Sequence, residues 1–88
     1  MDQKQDKIGA LYELLARVQD PKDIQALFED LCTVKEIANM AERIFAARLL
    51  MEGKTYNQIM AQSDISSATL RRVSRCVQYG KGYRNVLK

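Results

Sequence analysis

Apolar side chains recur along this chain at the three- and four-residue intervals of a helix face, and no stretch makes a convincing strand. Ile8, Leu11, Tyr12, Leu15 and Val18 mark a first helix. Asp20-Pro21 predicts a restart: Asp20 can cap, Pro21 suits the first helical position, and Asp23 complements the first turn. Ile24, Leu27, Phe28 and Leu31 give the second helix its stripe. Thr33 and Glu36 have capping-box spacing, which opens a longer third helix running to Glu52 and stopped by Gly53. Thr55 to Gln58 repeats the capping pattern. It predicts a helix from Tyr56 to about Gln62, a turn through Ser63, Asp64 and Ile65, and a helix from Ser66 or Ser67 to about Tyr79. Gly80 and Gly82 end that helix, and Tyr83 to Leu87 can form a short last turn.

The third helix carries too much apolar surface for a lone small domain. One stripe is Ile37, Met40, Ala41, Ile44, Ala47 and Met51; a second is Phe45, Leu49 and Leu50. A helix apolar around most of its girth is covered on several sides. In a chain of 88 residues the extra cover is expected from a second copy, clasped by the first two helices. The sequence therefore predicts one helical domain over residues 1–88, with 1–53 for dimerisation, 54–79 for a helix-turn-helix and 80–88 as a tail.

Ile59, Ile65, Leu70 and Val73 fall where two short helices must lock against each other in a helix-turn-helix. The remaining faces of the second of these helices hold Ser67, Ala68, Thr69, Arg71, Arg72 and Arg75. Small groups followed by arginines suit a surface entering a major groove. Ser67, Ala68 and Thr69 are small enough to approach base edges, and Arg71 and Arg72 can reach guanine or phosphate. Arg75, Lys54, Asn57, Gln58 and Lys81 are expected to hold the DNA backbone, with capping and solvation as their plain alternatives. A symmetric dimer would present two such helices to successive major grooves, about 34 Å apart. Met60 and Asp64 stand where many helix-turn-helix units have Ala and Gly; Met is adaptable, and Asp tolerates a left-handed turn.

Charge strengthens the nucleic-acid reading. Residues 1–52 hold seven basic and ten acidic side chains, a net of −3. Residues 53–88 hold seven basic groups against Asp64 alone, a net of +6. A modest overall charge thus hides a basic end that coincides with the candidate reading motif. An apolar fraction of 47% is enough for a packed core and argues against disorder. Short, interrupted apolar runs give no transmembrane span, and the N-terminal residues lack a signal-peptide core. The expected location is cytoplasmic. Cys32 and Cys76 lack paired spacing and read as reduced, buried small hydrophobes.

Leu31-Cys32-Thr33 with Glu36, and then Ala41 through Gly80, resemble the Trp repressor superfamily, in particular its TrpR-related YerC/YecD family. Ala41–Arg43, Leu49–Lys54 and Ser67–Cys76 carry most of the resemblance, which spans roughly residues 24–86. It implies an all-α, intertwined helical homodimer containing a helix-turn-helix, and repression of transcription through operator DNA.

The resemblance also raises the question of a small-molecule effector. In the tryptophan-binding pattern an indole lies between two arginines while a Thr and a Ser hold the amino-acid end. Thr33 matches the Thr, Arg43 and Arg72 match the arginines, and Cys76 stands at the Ser position. Val73 replaces the Gly that leaves room for the ring, and one residue is missing between Gly53 and the helix-turn-helix. A β-branched side chain in a ring-sized gap and a thiol in place of a hydroxyl argue against tryptophan. Thr33, Arg43, Arg72 and Cys76 remain an effector pocket without an assigned ligand. Arg43 has a plain alternative, pairing with Glu36 or Glu42.

An enzyme is poorly supported. Histidine is absent, and no phosphate loop, nucleophile elbow or metal-ligand cluster is present, so neither cofactor nor metal is expected. The competing reading is a helical protein-interaction adaptor without DNA binding, built on the apolar third helix.

Overall fold

A computed structural model describes residues 3–87, and among these every regular element is a helix. The chain groups into two compact units that divide between Val34 and Lys35.

The first unit carries α1 (Gln3–Arg17) and α2 (Pro21–Leu31). Asp20 caps α2 as expected: its carboxylate accepts the Lys22 backbone N–H at 2.9 Å, with Pro21 in the first turn. The Cys32 amide closes the other end on the Phe28 carbonyl. Neither helix has a buried residue. Ile8, Leu11, Leu14, Ile24 and Leu31 are all exposed, and Leu15, Leu27 and Phe28 are half-buried.

The second unit carries all of α3 (Val34–Met51) after its first residue, with α4 (Tyr56–Gln62), α5 (Ser67–Tyr79) and α6 (Gly82–Val86). Gly53 ends α3 with φ of 89°, a conformation that side chains with a Cβ rarely adopt. The Gly53 amide donates to the Leu50 carbonyl and the Lys54 amide to Leu49, so the last turn closes as a Schellman motif. At Thr55 the capping box is complete: Gln58 N–H donates to Thr55 Oγ1 at 3.2 Å, and Thr55 N–H to Gln58 Oε1 at 2.8 Å. Ser66 caps α5 by accepting the Thr69 N–H at 3.2 Å.

One hydrophobic core joins α3, α4 and α5. Ile59, Leu70 and Val73 are its largest fully buried side chains, and Ile65 from the turn completes the four apolar locks. From α3 the core takes Ala47 and Leu49 of the expected stripes, joined by Ala46, which neither stripe contains, and Leu50 packs against it. Ile44, Phe45 and Met51 are exposed, and Ile37, Met40 and Leu50 are half-buried. Two alanines at 0% exposure allow close backbone approach, which bulky groups would prevent.

Two expectations about the turn are corrected. Among the described residues no side-chain-bearing residue has positive φ, so Asp64 does not occupy a left-handed turn. Met60 is 41% exposed, so its bulk lies outside the inner packing of the helix pair. Cys76 is exposed and Cys32 half-buried, which corrects the expectation that both are buried.

Candidate nucleic-acid interface

Two complementary faces define α5. Leu70, Val73, Ser74 and Val77 are buried at spacings of three, one and three residues, forming a single stripe toward the core. Turning about the same axis brings Ala68, Arg71, Arg72, Arg75 and Tyr79 to the outside, all exposed. Thirteen residues at about 1.5 Å rise make α5 about 20 Å long, enough to lie along a groove. No acidic residue occurs in this helix. Its outer face is therefore cationic throughout its middle, held in place by a dry stripe behind.

The other expected contacts are distributed around this face. Ser67, Lys54, Asn57 and Lys81 are exposed. Thr69 is half-buried; its hydroxyl oxygen accepts from Ser66 Oγ at 3.0 Å, and its amide is committed to the cap. The Gln58 carbonyl oxygen is likewise taken by Thr55, which leaves its side-chain N–H groups as the donors for an external partner. Tyr79, 81% exposed and four residues beyond Arg75, belongs to the same face but was not among the sequence-derived contacts. The signal for it was present in the Arg72–Arg75–Tyr79 spacing.

Arg43, half-buried on α3, lies between two concavities. One, of about 650 Å³, is lined by Asn39 and Glu42 on one wall and by Asp64, Ser66 and Thr69 on the other. Here Glu42 Oε2 accepts the Asp64 backbone N–H at 3.3 Å, tying α3 to the turn before α5. The other concavity, of about 340 Å³, is lined by Met40, Arg43 and Ile44 of α3, Arg72, Val73 and Cys76 of α5, and Tyr83 of α6. The structure thus brings together Arg43, Arg72 and Cys76 from the expected effector pocket. Thr33 belongs to the other compact unit. Val73 is 1% exposed and forms the floor of the cleft, while Tyr83 was not anticipated in its wall.

Among the described residues, six helices with a core-locked, arginine-faced α5 and an α3–α5 cleft define a small all-helical protein. The Trp repressor protein family matches residues 6–88, and the chain belongs to that family. It is 38% identical over 74 residues to the uncharacterized protein YerC of Bacillus subtilis, an alignment covering 84% of this chain and 71% of YerC. A TrpR-like protein from Eubacterium eligens shares its fold with a TM-score of 0.87 and 32% identity, over 93% of this chain and 86% of that one. A crystal structure of a candidate Trp repressor from Staphylococcus aureus gives a TM-score of 0.87 and 31% identity, over 93% and 83% of the two chains. The family is one of regulators, not enzymes, and family and fold together point to a DNA-binding regulator of transcription. Among the described residues, no helix is long and apolar enough to cross a membrane.

Proposed function

We propose that this protein is a sequence-specific DNA-binding transcriptional regulator, a repressor that binds operator DNA in the cytoplasm as a homodimer. In this reading α4 and α5 are the two helices of a helix-turn-helix, and α5 enters the major groove. Ser67, Ala68 and Thr69 approach base edges, Arg71 and Arg72 reach guanine or phosphate, and Arg75, Lys54, Asn57, Gln58 and Lys81 fix the backbone. Residues 1–53 supply the dimer, 54–79 read DNA, and 80–88 form the tail. The observation carrying this reading is the division of α5 into a buried apolar stripe and an exposed face with Arg71, Arg72 and Arg75.

The unburied apolar faces of α1 and α2 support dimerisation, because an isolated chain leaves Ile8, Leu11, Leu14 and Ile24 in water. An intertwined dimer covers them and pairs the two reading helices.

Tryptophan is not the proposed effector. The volume of the cleft beside Arg43 and Arg72 would not by itself exclude a ring, but its chemistry is wrong. Val73 places a branched side chain in the floor, and Cys76 offers a thiol where a hydroxyl would hold the amino-acid end. Any effector using Arg43, Arg72 and Cys76 is of a different kind.

The same unburied faces also favour a second reading, an adaptor that binds another protein without DNA. Gel mobility at varied salt separates the two. Retardation of DNA by a folded dimer supports the regulator; a sedimenting dimer that retards no DNA even at low salt supports the adaptor.

A further inference from the structure

The short helix α6, only a tail by sequence pattern, packs on the shared core and bonds to the last turn of α5. Five residues that begin with a glycine cannot sustain a helix alone, so α6 exists because of what it packs on. Three features fasten it. Gly80 turns the chain so closely that its amide donates to the Cys76 carbonyl at 2.8 Å, and a Cβ there would sit 2.7 Å from that oxygen. Tyr83 and Leu87, one helical turn apart, pack against the core shared by α3, α4 and α5. The Arg84 Nε–H donates to the Val77 carbonyl, in the last turn of α5, where helix carbonyls lack partners of their own.

Tyr83 also stands where α3 and α5 face each other. It walls the cleft whose other sides are Met40, Arg43 and Ile44 from α3 and Arg72 and Cys76 from α5. Arg72 is on the proposed DNA-reading face, so the ring lies behind a reading side chain.

We propose that α6 is a positioning strap: Tyr83 wedges α5 against α3, and Arg84 pins the last turn of α5. The pose of the reader is therefore fixed by the chain's own C-terminal helix, with no bound small molecule required. The part concerning DNA rests on the reading of α5 as the recognition helix; the mechanical part does not. Tyr83 and Arg84 are positioning residues that touch no DNA.

Hydrogen exchange on the full-length protein tests the mechanical part. Tyr83→Ala and Arg84→Ala each lower protection of the α5 amides by about tenfold, while Tyr83→Phe, which keeps the ring, retains wild-type protection. Arg84 lies at the surface, so its variant carries the test if Tyr83→Ala does not fold. Unchanged protection of α5 in Arg84→Ala overturns the strap. Salt-dependent DNA binding without added small molecules tests the rest. Arg84→Ala weakens binding to a preferred site and leaves the salt slope at its wild-type value. A slope reduced by about one charge would show Arg84 on phosphate and overturn the pin. If the wild-type protein binds no DNA, the reading of α5 falls, while the exchange result still decides whether the strap exists.

Discussion

Glu42 on α3 holds the turn that launches α5: its carboxylate accepts the backbone N–H of Asp64 at 3.3 Å. Asp64 is the one acidic residue after position 53, yet the group that anchors this turn is its amide. The bond spans 22 positions in the sequence and links the long helix to the start of α5. Glu42→Ala is expected to lower unfolding stability by about 1 kcal/mol, whereas Glu42→Gln, which keeps a carbonyl acceptor, stays within about 0.5 kcal/mol. Urea denaturation of both variants checks this; equal losses would mean that the charge of Glu42 matters and the bond does not.

Gly80 and Gly82 should respond oppositely to alanine. A Cβ at Gly80 meets the Cys76 carbonyl at 2.7 Å, while Gly82 has open space around it and begins α6. Gly80→Ala is expected to cost about 1–3 kcal/mol. Gly82→Ala should be neutral or stabilising by up to about 1 kcal/mol, through helix propensity and a less free unfolded chain. Thermal or urea unfolding of the pair reads the difference directly.

Large side chains on the α4–α5 pair should also divide by burial. Leu70→Ala removes a side chain at 0% exposure and is expected to cost about 2–5 kcal/mol. Met60→Ala, on the outer side of α4, should cost less than about 1 kcal/mol. Comparable losses at the two positions would contradict the assignment of the core.

Most of the helix boundaries were legible because their signals are local. Asp20-Pro21, Thr55 with Gln58, Ser66 and Gly53 each act through their own or adjacent backbone groups, and each does what its spacing implies. The four locks Ile59, Ile65, Leu70 and Val73 were legible because two short helices have few ways to bury apolar groups. The inner face of α3 was legible only in part. Reading by hydrophobicity finds Ala47 and Leu49 but also favours Ile44, Phe45 and Met51, which are exposed, and it passes over Ala46, which close helix packing buries. The candidate site was legible as residues, with Arg43, Arg72 and Cys76 around one cleft. It was not legible as a structure: Tyr83 reaches that cleft only through the turn at Gly80, a tertiary fact no periodicity encodes.

The proposed dimerisation through residues 1–53 predicts that stability depends on protein concentration. The unfolding midpoint should rise with concentration, since association stabilises only the folded form. Leu11→Glu, on the exposed face of α1, should weaken that dependence and shift sedimentation toward monomer. A wild-type midpoint independent of concentration, with a monomeric sedimentation coefficient, would exclude the dimer.

The proposed roles on α5 predict different losses for two neighbouring arginines. Arg71→Ala should weaken a preferred site more than random DNA, by about 1–3 kcal/mol, as for a base contact. Arg75→Ala should weaken both alike and reduce the salt slope by about one charge. Identical behaviour of the two variants on both DNAs would reverse the assignments.

The most direct test is to select bound fragments from genomic DNA with the wild-type protein, without added small molecules, and measure affinity for them across a salt series. Preferred duplexes with two related half-sites about one helical turn apart, bound more tightly than random DNA with affinity falling steeply as salt rises, are the expected result. A folded protein that enriches no fragment and retards no duplex at low salt would contradict DNA reading by α5.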